Sequence, residues 1–186
     1  MIFELIKSLF VLLVLFQHCI CKPQWEYEPI SIVSQTSDPN KLNLESEVVR
    51  INRGEYAFSG ELFWNFDADE TTMVESMGYR SNTGNEEDYK LLPMGIPKQT
   101  YQEYLENFYE KMLYLNVKNC SKLPEPENAW PWARGTYTFK NCVATGDGLP
   151  DVTPEGYYKV VFMVTGEVEW NMTSIVKVTT KVNLYG

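Results

Sequence analysis

Residues 54–67, GEYAFSGELFWNFD, alternate with a period of two, so that Tyr56, Phe58, Gly60, Leu62, Trp64 and Phe66 share one face of any strand they form. A bare glycine at the centre of a face of large apolar groups is unusual, because a filled core wants bulk at that point. A hollow interior, or another segment crossing close by, wants the gap. The stretch therefore predicts a β-strand that either lines a pocket or receives a close neighbour at Gly60.

The same period recurs near the C-terminus. In VEWNMTSIVKVTTKVNL, Val168, Trp170, Met172, Val176, Val178, Val182 and Leu184 share one parity, while Glu167, Glu169, Asn171, Lys177, Lys181 and Asn183 share the other. Ser174 and Ile175 interrupt the pattern, which predicts a local twist or bulge there. In GYYKVVFMVTG (156–166), the inner set reads Tyr158, Val160, Phe162 and Val164. Further β-type runs fall at 25–34, 45–52, 71–81 and 89–96, separated by turn-forming clusters such as Ser37-Asp38-Pro39-Asn40 and Asp67-Ala68-Asp69-Glu70. They predict a meander of antiparallel neighbours. The proline-rich stretch 122–135 reads as a loop within the domain.

One segment changes period. PKQTYQEYLENFYEKMLYL (97–115) places Tyr101, Tyr104, Leu105, Phe108, Tyr109, Met112 and Leu113 at spacings of three and four, with Pro97 suited to a first helical turn. The fold class expected is mainly β: an antiparallel sandwich or cup of about seven or eight strands with one amphipathic helix packed against it. If the two sheets splay, an apolar slot opens between them; if they close, they enclose only a core.

The N-terminus predicts the compartment. Lys7 precedes an apolar run from Leu9 to Phe16, and Cys19 and Cys21 supply small residues at a plausible cleavage site, so residues 1–21 read as a secretory signal peptide and residues 22–186 as one domain. No later run reaches the roughly 20 apolar residues of a membrane-spanning helix. The single histidine, His18, lies in the leader, as do two of the four cysteines. The remaining chain then has no histidine for a Ser-His-Asp triad, a Cys-His dyad or a histidine-ligated zinc. Cys120 and Cys142, in an oxidising compartment, are expected to form one disulfide, worth roughly 3 kcal/mol through its constraint on the unfolded chain. Two sequons, at Asn119 and Asn171, agree with secretion, and Asn171 falls on the polar face of its strand.

The net charge of −9 with no basic cluster argues against nucleic acid or an anionic membrane as partner. Acidic groups gather at Asp67, Asp69, Glu70 and at Glu86, Glu87, Asp88, but in hairpin-type turns, where solvated carboxylates are ordinary. TGDGLPD (145–151) lacks the ligand ladder of a calcium loop. Neither a metal nor another cofactor is expected, and catalysis would require a carboxylate-based site.

The runs GEYAFSGELFWNFDADETTMVESMGYRS, EEDYKLLPMGIPKQTYQEYL, GDGLPDVTPEGYYK and TGEVEWNMTSIVKVTTK, in that order, resemble the insect CheA-type chemosensory proteins. That family is distantly similar to the GM2 activator and the MD-2-related lipid-recognition domains. The resemblance implies a secreted β-cup that holds a lipid or long hydrocarbon, acting in taste or pheromone detection in the fluid around chemosensory neurons. The GM2 activator has several disulfides where this chain has one pair of cysteines left, and no short ligand-contact motif carries over.

From strand parity and helical phase, the residues expected to contact an apolar ligand are Phe58, Gly60, Leu62, Trp64, Phe66, Phe162, Val168, Trp170 and Met172, with Phe108 and Met112 on the helix. Gly60 leaves room for ligand or for the crossing helix. Trp130 and Trp132 are lid candidates, or pack on the helix. The partner expected is an apolar small molecule or lipid, with a chemosensory receptor or neuronal membrane protein as a further one. The alternatives are a secreted interaction module with a filled core that modulates such a receptor or channel, and a carboxylate-based hydrolase.

Overall fold

The computed structural model describes residues 25–146, 149–150 and 152–181. The expected leader, with His18, lies outside them, as do Asp147, Asp151, Val182 and Leu184. The strands are β1 (Trp25–Thr36), β2 (Leu42–Asn52), β3 (Glu55–Trp64), β4 (Met73–Ser81), β5 (Lys90–Thr100), β6 (Gly135–Cys142), β7 (Gly156–Thr165) and β8 (Trp170–Thr180). Between β5 and β6 runs one helix of 17 residues, α1, built of consecutive segments Tyr101–Tyr104, Leu105–Tyr114 and Leu115–Val117.

All pairing is antiparallel, in two sheets ordered β1-β8-β7-β4-β5 and β2-β3-β6. The fold is the mainly β sandwich with one packed helix that the alternation predicts, but its connectivity is not a meander. β1 pairs with β8 rather than β2, and the chain changes sheet between β3 and β4. β6 is the strand missing from the sequence reading; its Thr136-Tyr137-Thr138-Phe139 alternation is short and follows the proline-rich loop directly.

Two local expectations are corrected. α1 begins at Tyr101 rather than Pro97, because Pro97 belongs to β5, an edge strand where a missing N–H leaves no ladder bond unmade. The start signal is a capping box: Glu103 N–H donates to Thr100 Oγ1 at 3.2 Å, and the Thr100 N–H donates to the Glu103 carboxylate at 2.9 Å. The twist or bulge expected at Ser174 and Ile175 lies on the partner strand, opposite Ile175 and Val176. β7 and β8 pair in continuous register there, and the irregularity falls on β1, between Pro29 and Ser31.

The sheets are held differently along their two long edges. At the β1/β2 edge they approach closely, and Ser34 Oγ donates to the Leu44 carbonyl at 2.8 Å. At the opposite edge, β5 and β6 are bridged by α1, which continues from β5 and is tied to the end of β6 by the Cys120–Cys142 disulfide. The helix thus wedges one side of a sandwich whose other side is closed.

Candidate functional site

The wedge leaves an interior cavity of about 380 Å³, within the range of small-molecule sites, roughly 300–1,000 Å³. β3 contributes Phe58, Gly60, Leu62 and Trp64, β2 contributes Leu42, Leu44 and Val48, and the five-stranded sheet contributes Ile32, Val160, Phe162, Val164, Trp170, Met172 and Ser174. α1 closes the side with Tyr101, Tyr104, Tyr109 and Met112. Among the described residues no Asp, Glu, Lys or Arg lines the cavity.

The register gives the cavity a direction. Leu42 pairs with Trp64 and Val164 with Trp170, and all four are buried, so this end is closed. Farther along the same strands Val48 pairs with Phe58, both half-buried, and Val160, which pairs with Ser174, is exposed, as are the lining residues Met112 and Leu149. The second end is an apolar mouth. From Trp170 to Ser174 the wall runs about 13 Å at the ordinary strand rise.

The closed end is floored by rings. Trp64 stacks on Phe66 (4.6 Å between centroids) and on Tyr101 (5.0 Å), and its Nε1 donates to the Phe66 carbonyl at 2.9 Å. Tyr104 meets Phe162 edge-on at 5.4 Å, and Tyr109 meets Trp132 edge-on at 5.7 Å. The Tyr109 hydroxyl donates to the Pro124 carbonyl at 2.7 Å, fastening the proline-rich loop over the helix. Burial raises the phenols of Tyr101, Tyr104 and Tyr109 well above their usual range, so they stay neutral.

Of the residues expected at a site, Phe58, Gly60, Leu62, Trp64, Met112, Phe162, Trp170 and Met172 meet on this wall. Phe66 and Val168 do not; they are fully buried behind it, each about 1% exposed. Phe108 also misses the wall. Over Leu105–Tyr114 the backbone is π-helical, as in the bond from the Leu115 N–H to the Glu110 carbonyl; Tyr109, Met112 and Leu113 reach the wall, while Phe108 is half-buried against the core beside it. Neither tryptophan of the loop is a free lid. Trp130 is exposed and off the wall, while Trp132 is buried, part of the wall, and packed against Trp64, Tyr101 and Tyr109. Sequence reasoning read a strand at 45–52 but missed the wall that β2 supplies, although Leu42, Leu44, Ser46 and Val48 keep one parity, and it missed Phe139 with β6.

Gly60 stands on the cavity wall, and the gap at it is taken up by a neighbouring strand rather than by the helix. A Cβ placed on it would lie 2.4 Å from the Glu45 carbonyl oxygen and 3.0 Å from Ser46 Cα, so the gap serves a close approach of β2. The acidic turns point elsewhere. Asp67 accepts two hydrogen bonds from Arg134, at 2.9 and 2.7 Å, which lower its pKa; Thr71 does the same for Asp69; Glu86 pairs with Lys159. None of these carboxylates reaches the cavity. Among the described residues no group of three His, Cys, Asp or Glu is placed to hold a metal, and no helix is long and apolar enough to cross a membrane. Asn119 is exposed; Asn171 is half-buried on the outer face, beside Gln35.

Residues 73–160 match the family described as Protein of unknown function (DUF1091). The matched stretch holds β4, β5, α1, β6 and both disulfide cysteines, and it leaves out β1, β2, β3 and β8. No curated protein matches the chain.

Proposed function

We propose that this protein is a secreted, non-enzymatic binder of a hydrophobic ligand, a lipid, hydrocarbon or pheromone, acting in insect taste or pheromone perception. The observation that carries the binding reading is the uncharged cavity between the sheets, with an aromatic floor and an apolar mouth. Burying a chain of ten methylenes would contribute about 8 kcal/mol gross at roughly 0.8 per CH₂, from which the cost of association is subtracted. Micromolar binding then needs no charged anchor.

The leader-like N-terminus, the disulfide and the sequons support secretion. The chemosensory setting rests on the resemblance to CheA-type proteins, and the match at 73–160 is compatible with it. A receptor or neuronal membrane protein would then take up the loaded carrier. Against a hydrolase, no carboxylate among the described residues faces the cavity.

The test is displacement of N-phenyl-1-naphthylamine fluorescence by long-chain alkanes, esters and alcohols. Competition by at least one class at micromolar concentration is expected. Failure of the probe to bind would favour an interaction module that works through its surface. The sensory role is tested separately, by recording from sensilla that lack the protein; an unchanged response would remove it.

A further inference from the structure

Two of the rings that line the cavity carry hydrogen-bond donors without acceptors. Trp25 and Trp64 donate their indole N–H groups to backbone carbonyls, of Pro150 at 2.8 Å and Phe66 at 2.9 Å. Trp132 and Trp170 are as buried, 5% and 8% exposed, yet their Nε1 atoms have no partner. Both rings line the cavity. They are joined by a continuous run of rings, from Trp132 to Tyr101 (5.7 Å), Tyr104 (5.9 Å), Phe162 (5.4 Å) and Trp170 (6.4 Å).

A buried indole N–H ordinarily finds an acceptor, and leaving one unmatched is costly. The edge-on neighbours Tyr109 and Phe162 offer ring faces, which are weaker acceptors than oxygen. An alkane supplies no acceptor at all. A carboxylate would supply one, but would be buried in a cavity that has no cation among its described lining residues.

Resting on the binding reading above, we propose that the ligand enters oxygen-first. A neutral acceptor, such as the oxygen of a long-chain ester, ketone, aldehyde or alcohol, docks at the closed end on the Trp132 and Trp170 indoles, and the apolar chain runs back to the mouth at Val160 and Met112. The ligand is thereby an oxygenated apolar molecule rather than a bare hydrocarbon or a fatty acid anion.

The experiment compares tetradecane, dodecyl acetate and tetradecanoate at neutral pH on the secreted protein labelled with ¹⁵N-tryptophan. Dodecyl acetate is expected to bind about fivefold or more tighter than tetradecane, the gain of one neutral hydrogen bond, and more tightly than tetradecanoate. It should shift the Trp132 and Trp170 indole N–H resonances downfield while leaving that of Trp64 in place. The double variant Trp132→Phe/Trp170→Phe, which keeps rings but removes both donors, should bind alkane and ester alike. If that variant does not fold, the resonances of the unaltered protein decide. Equal binding of alkane and ester, tighter binding of the acid, or unmoved indole resonances would overturn the proposal while leaving the cavity a binding site. Binding of none of the three would overturn the binding reading and this inference with it.

Discussion

Gly60 lies flat against the backbone of its β2 neighbour Ser46, so close that a Cβ on Gly60 would meet the Glu45 carbonyl oxygen at 2.4 Å. No flexible side chain is available to yield, so either β2 or β3 must move. Gly60→Ala is expected to destabilise the fold by about 1–3 kcal/mol, lowering the melting temperature by several degrees. Probe affinity of the folded fraction should be unchanged. A Gly60→Ala protein of normal stability but altered binding would return this position to the ligand.

The wall position Ser174 gives the converse case. It faces the cavity opposite Val160, next to open space, while Ile175 points to the outer face. Ser174→Phe should weaken probe binding at least about tenfold, equivalent to 1.4 kcal/mol, with a small change in melting temperature. Ile175→Phe should leave binding unaltered, and titrating the fluorescent probe into both variants checks the pair.

The cap of α1 predicts a purely structural loss. Removing the Thr100 hydroxyl leaves the Glu103 N–H without its acceptor, at a cost of about 1 kcal/mol. Urea denaturation of Thr100→Ala should show a lower midpoint with an unchanged slope.

Alkaline titration reads the aromatic floor. Burial raises the phenols of Tyr101, Tyr104 and Tyr109 in the folded state, so the folded protein holds protons that the unfolded chain releases near pH 10. Stability from these groups is complete below pH 10 and declines as pH rises beyond it. Tyrosinate absorbance from the three residues should therefore appear only together with the loss of near-ultraviolet circular dichroism. Their early, non-cooperative ionisation near pH 10 would show that the floor is solvated.

Strand alternation made the fold class legible, because an antiparallel sheet with one buried face writes its parity into the sequence, as Trp170 and Met172 do. Connectivity was not legible: nothing local to Trp25–Thr36 says that its partner is Trp170–Thr180. The site was half legible for a related reason. Parity places Leu62 and Trp64 on the wall, but depth along the strand separates Trp64, on the wall, from Phe66, behind it. On α1, the period of three and four picked out the apolar face that carries Tyr101, Tyr104, Tyr109 and Met112, but it did not tell which of its residues reach the wall: Phe108 packs against the core beside it. β6 was hidden by its shortness and by the prolines before it.

The central claim is that the cavity between the sheets holds an apolar ligand. Native mass spectrometry of the protein secreted from insect cells, followed by solvent extraction and a panel of hydrocarbons and neutral lipid esters, tests it most directly. The account predicts a one-to-one complex, either carried from the cells or formed with a panel member, that is lost in Ser174→Phe. A protein that arrives empty and rejects the whole panel would contradict it.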